Sequence, residues 1–117
     1  MIEKIIRDYL NSLDLSAPVY TEMPEEYPGK CYLIEKTGSS MLNHIDKATI
    51  SIRSYGSSLY EAITLNNAVK KAMLDGLITL DEVCGVRLNS DYNFTDTTTK
   101  RYRYQAVFVV TYYEQED

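Results

Sequence analysis

The chain has 117 residues, 44% of them hydrophobic and 25% charged, with a formal net charge of −5. That is enough for one domain with a real core and leaves no room for a second. The negative charge argues against strong duplex DNA or RNA binding, which rests on neutralised phosphates. The longest apolar run, Ala106 to Val110, is far short of the ~20 residues a bilayer span needs.

The first segment places Ile2, Ile5, Ile6, Tyr9, Leu10 and Leu13 at helical spacing, with Glu3, Lys4, Arg7 and Asp8 between them. This predicts an amphipathic helix, ending before Pro18. Its charges exclude a signal-peptide reading, so a cytoplasmic location is expected by default. Val19 to Met23 is compatible with a short strand, and Pro24, Pro28 and Gly29 predict an irregular connection.

Cys31 to Lys36 reads as a strand, followed by a Gly/Ser loop over Thr37 to Asn43 that carries Met41 and Leu42. Lys47 to Tyr55 alternates apolar and polar residues, as a half-buried antiparallel strand does. Gly56 breaks it, and Ser58 followed by Glu61 forms the S-x-x-E capping box that starts a second helix. The helix stripe is Leu59, Ala62, Ile63, Asn66, Val69, Ala72 and Met73, with Gly76 as the stop. Asn66 on that stripe is expected to bond to backbone.

Val83 to Phe94 alternates again, with Cys84, Val86, Leu88, Tyr92 and Phe94 on one parity. A polar turn, Thr95 to Lys100, leads into a long alternating strand, Arg101 to Tyr113. Fully extended, that strand would run about 43 Å. A compact domain of this size is only about 35 Å across. The final ribbon is therefore expected to overhang and seek a partner. The acidic end, Glu114 to Asp117, is expected to fray. The order predicts an α+β fold: two helices on one face of a largely antiparallel sheet of four or five strands, ending in a long β-hairpin.

Catalytic chemistry is sparse. The one histidine, His44, sits in a predicted loop with Asp46 near in sequence but no singled-out nucleophile, which speaks against a triad. Cys31 and Cys84 lack CxxC spacing and are read as two buried, reduced thiols in preference to a disulfide or ligand pair. One histidine and two distant cysteines do not suggest a metal site, and the five glycines form no phosphate loop. No cofactor is expected. Tyrosine is abundant, with 11 copies, which suits strands and also surfaces that are wet in one state and buried in another.

The strand Lys47 to Tyr55, the break Gly56-Ser57-Ser58, and the helix opening Leu59-Tyr60-Glu61-Ala62 form a recognisable unit. With the later hairpin and its aromatic-rich last strand, it resembles the tail-completion proteins of long-tailed bacteriophages and prophages, the tail-terminator or minor-capsid group. The resemblance spans Ile2 to Tyr113. It implies a homo-oligomeric ring, commonly of six subunits, that caps the tail tube, ends its polymerisation and joins it to the head connector. It implies no enzyme activity. Assembly in the bacterial host cytoplasm and residence in the virion neck follow from it, without specific nucleic acid or membrane partners. Candidate docking residues are Met41, Leu42 and His44 in the first loop, and Thr97, Lys100, Arg101 and Arg103 around the last turn. A small ligand-binding or regulatory domain is the second reading, and an enzyme working through His44 and neighbouring acids is a third.

Overall fold

The structure is a computed structural model that describes residues 1–26, 28–99 and 101–113. Lys100 and the acidic end 114–117, on both of which sequence expectations fall, lie outside the described residues. Helix α1 covers Ile2–Ser12 and buries Ile2, Ile6 and Leu10, one side chain per turn of a single stripe. Beyond it the chain takes positive φ at Asp14 and Ser16 and enters the short strand β1, Val19–Tyr20. The Asn11 amide ties these pieces together. Its Nδ2 donates to the Val19 carbonyl at 3.2 Å and its Oδ1 accepts from the Val19 N–H at 3.0 Å.

Strands β2 (Cys31–Leu42), β3 (Ile45–Gly56), β4 (Val83–Asn93) and β5 (Tyr102–Tyr112) complete a five-stranded sheet of order β1-β2-β3-β5-β4. β1 runs parallel to β2, and all other pairs are antiparallel. Helix α2, Leu59–Gly76, crosses back over β3 and β5. Its N-cap is the expected one: Ser58 Oγ accepts from Glu61 N–H, while Glu61 Oε1 accepts from Ser57 N–H at 2.8 Å. Gly56 is required in the preceding turn, because a Cβ there would lie 2.6 Å from the Ala62 nitrogen. The core lies between the helices and one sheet face, where Ile34, Ala48, Ile50, Ile52, Ala106, Phe108, Val110 and Tyr112 meet Ile6, Leu10, Leu65, Val69 and Met73.

Three expectations need correction. The Gly/Ser segment is no loop: β2 continues to Leu42, passing one bulge between Lys36 and Gly38. Pairing with β3 outweighs the weak strand preference of Gly38, Ser39 and Ser40. Gly76 is the last residue of α2, as expected of the stop, with φ of −120°, and a 3₁₀ turn, Leu77–Thr79, continues the chain. Asn66 is buried but donates to the Asp91 carboxylate, 3.2 Å away, and not to backbone.

The third correction concerns β5. It is an interior strand, paired with β3 along all its residues and with β4 from Tyr104 to Tyr112, so it does not overhang. The long strands instead lie along the molecule's greatest dimension, 44 Å in a body of 44 × 27 × 24 Å. The open edges of the sheet belong to β4 and to β2 beyond Leu33.

Candidate assembly surfaces

The β2–β3 connection is a two-residue turn, since Leu42 pairs with Ile45. Asn43 and His44 have φ of 53° and 65°, the pair of positive values that a type I′ hairpin turn needs. Its right-handed twist matches that of the flanking strands, so the tip is a continuation of the sheet. Met41 and Leu42 stand on this tip at 67% and 75% exposure. They point to opposite faces, Met41 to the helix side and Leu42 to the outer side, by the alternation of the ladder. His44 is exposed, and among the described residues its side chain has no hydrogen-bond or ion-pair partner.

The second group of candidates lies at the other end of the sheet, because Gly56 pairs with Tyr102 and Asp46 with Tyr112. The two groups are thus separated by a strand length, about 33 Å. Thr97 is exposed in a turn closed by the Asp96–Arg101 bridge. The Asp96 carboxylate accepts from the Thr98 and Thr99 N–H groups, and those bonds hold it below the usual aspartate range. Arg101 is exposed beside it.

Arg103 is differently placed. Its Nε donates to the Phe94 carbonyl, its Nη1 to the Tyr55 hydroxyl, and its guanidinium lies 4.5 Å from the Phe94 ring centre. Arg53 approaches the same ring at 5.3 Å, donates to Gln105 Oε1 at 2.8 Å and lies 3.7 Å from Glu35. Gln105 Nε2 in turn donates to the Tyr92 hydroxyl. This cation–aromatic stack belongs to the domain itself and braces the β4–β5 hairpin against β3.

These residues lie on the sheet face that carries no helix. Its floor runs through Thr49, Ser51, Val107 and Val109 to Thr111. Near the β2–β3 tip this face holds two adjoining depressions. One, of about 350 Å³, is lined by Lys47, Gly85, Val86, Arg87, Val109 and Thr111. The other, of about 360 Å³, shares Lys47 and Thr111 and reaches Ser40, Leu42, Asn43 and Ile45. On the helical side, Tyr9, Leu13, Leu15, Ala68 and Ala72 line an apolar cleft.

Cys31 is buried and Cys84 exposed, both as free thiols, so the expectation of two buried thiols holds for one. Burial pushes the Cys31 thiol up to about 11. Among the described residues no cluster of metal-ligating side chains forms. Among the described residues no helix is long and apolar enough to cross a membrane.

Lys47, Arg53 and Arg87 were not singled out from sequence. Alternation could have flagged Lys47 and Arg53 as sharing a face, but Arg87 follows a bulge between Val83 and Gly85 that alternation cannot show. The chain matches no known protein-family model and no curated protein.

Proposed function

We propose that the chain is the subunit of a homo-oligomeric ring, of six copies, that caps a phage tail tube, ends its polymerisation and joins it to the head connector. The sequence resemblance supplies the identity of the assembly. The observation that carries a docking role is the β2–β3 tip, where two large apolar side chains stand in water on a hairpin whose turn geometry fixes their direction. Adjacent exposed apolar groups of this kind are productive when a partner covers them. Burying them contributes about 1.5–3 kcal/mol each. Open backbone edges on β4 and on β2 beyond Leu33 add donors and acceptors that a neighbouring chain can satisfy.

The test is electron microscopy of the purified protein, alone and with tail-tube protein, together with its mass by light scattering. Closed rings with a central hole are expected. A chain that stays monomeric under both conditions overturns the reading. The adjoining depressions on the outer sheet face favour a second reading, a small ligand-binding domain. A stabilising metabolite in a thermal-shift screen of a monomeric protein would support it.

A further inference from the structure

The outer face of the sheet is the basic surface of an acidic protein. Strand register puts Lys47, Arg53, Arg87 and Arg103 on it, and Glu35 is the one acidic side chain among the strand positions of that face. The chain as a whole carries −5. Arg53 and Arg103 are engaged with Gln105, Glu35, Phe94 and Tyr55. Lys47 and Arg87 are not: among the described residues neither has an ion pair or side-chain hydrogen bond.

These two cations flank the depression of about 350 Å³, whose lining contains no carboxylate. Local chain geometry creates it. The bulge between Val83 and Gly85 disturbs the β4 ladder, and Gly85 contributes no side chain above Thr111. Two cations, a threonine hydroxyl and a valine floor make a site for an anionic group, a carboxylate or a phosphate. An aromatic platform for nucleobases is missing from its lining. Farther along the face, Phe94 is already stacked by Arg53 and Arg103.

Resting on the ring reading above, we propose that this depression receives the carboxylates of Glu22, Glu25 and Glu26 from a neighbouring copy. These three acids are exposed within five positions of the β1–β2 connection, and no ion pair within the described residues uses them. They flank the β1 edge of the sheet, whereas the depression lies toward the β4 edge. One copy therefore carries complementary charge at opposite edges of its strand order. That is the arrangement a head-to-tail contact needs, in which the same pair of surfaces is used at every junction and closes when the rotation divides a full turn. An exposed ion pair contributes little by itself, so the contact sets direction and register while the apolar tip supplies burial.

The experiment is sedimentation velocity at low salt and at 1 M salt, where screening acts over about 3 Å. It compares the unmodified protein with K47E/R87E, with E22K/E25K/E26K, and with all five changes combined. Thermal unfolding of each variant checks that it is folded. The expected result is assembly that weakens in high salt, falls about tenfold or more with either charge reversal, and returns when both are combined. Assembly that persists unchanged in K47E/R87E overturns the proposal and leaves the ring standing. A monomeric unmodified protein, with or without tube protein, overturns both. An inorganic phosphate titration followed by amide NMR supplies another arm: phosphate binding at Arg87 and Thr111 that leaves assembly unchanged overturns the neighbouring-copy assignment in favour of a small-anion site.

Discussion

The hydroxyl of Tyr9 lies directly against Gly76 and donates a hydrogen bond to the Ala72 carbonyl, 3.1 Å away. This contact locks α1 across the last turn of α2, and it gives the glycine that ends α2 a packing reason as well. A Cβ at position 76 would collide first with the Tyr9 hydroxyl oxygen and only then with its Cζ at 3.2 Å. Gly76→Ala is therefore expected to destabilise by about 1–3 kcal/mol, the range for overpacking. Removing the hydroxyl opens the space. In a Tyr9→Phe background the same change should cost much less, because the gain in helix propensity, about 1 kcal/mol, then has less strain to offset. Urea unfolding of the four proteins checks the coupling, and additive effects would contradict it.

His44 occupies the second left-handed position of the type I′ turn, with φ of 65°. A side chain there costs about 1–2 kcal/mol, partly returned by the lower chain entropy of the unfolded state. His44→Gly creates the favoured Asn-Gly turn and should raise stability by about 0.5–1 kcal/mol. A rise in the unfolding midpoint checks it. Any role for His44 as a catalytic base would instead show as lost activity in a more stable protein.

Much of the fold was legible because two periods dominate the chain: 3.6 in Ile2 to Leu10 and 2 in Lys47 to Tyr55 and Arg101 to Tyr113. What was not legible follows from single-residue insertions. The irregularities between Lys36 and Gly38, Val83 and Gly85, and Leu88 and Ser90 each shift the ladder by one position. A shift of one residue exchanges the two faces for everything beyond it. Hence Leu88 packs on the core while Tyr92, of the same sequence parity, pairs with Gln105 on the outer face. The site suffered more than the core, because Lys47 and Arg87 meet only after three strands are registered.

The two thiols should separate chemically. Cys84 lies exposed in β4, whereas Cys31 is buried and its thiol is pushed up to about 11. Thiolate is the reactive form, so burial and raised pKa act together. Titration with a disulfide reagent near pH 8 should consume one thiol per native chain and two per unfolded chain. Rapid reaction of both in the native protein would contradict the placement of Cys31.

Glu61 makes stability depend on acid. The Ser57 N–H and hydroxyl donate to its carboxylate, holding it below the ordinary value of 4.5. A group depressed on folding contributes stability that is complete above its unfolded pKa and is lost as pH falls through its folded one. Unfolding midpoints should therefore decline below about pH 4.5. Glu61→Gln should show a shallower acid limb, with the difference from the unmodified protein disappearing at low pH. An unchanged slope would mean that the cap contributes nothing through its charge.

Arg103 and the hairpin tip should respond in opposite ways to substitution. Arg103 is held by the Phe94 carbonyl, the Tyr55 hydroxyl and two aromatic rings, all within one chain. Arg103→Ala leaves the Phe94 carbonyl without that donor and should cost about 1.5–3 kcal/mol, as for hydrogen bonds from a charged group. Met41→Ser with Leu42→Ser removes side chains that touch mostly water, so folding stability should move by no more than about 0.5 kcal/mol. Assembly should respond in reverse. The tip variant should fall apart at concentrations where the unmodified ring is intact, while Arg103→Ala should still assemble wherever it remains folded. Urea unfolding beside light scattering separates the two. A tip variant that unfolds more easily yet still forms rings would show that Met41 and Leu42 serve the hairpin and not its neighbour.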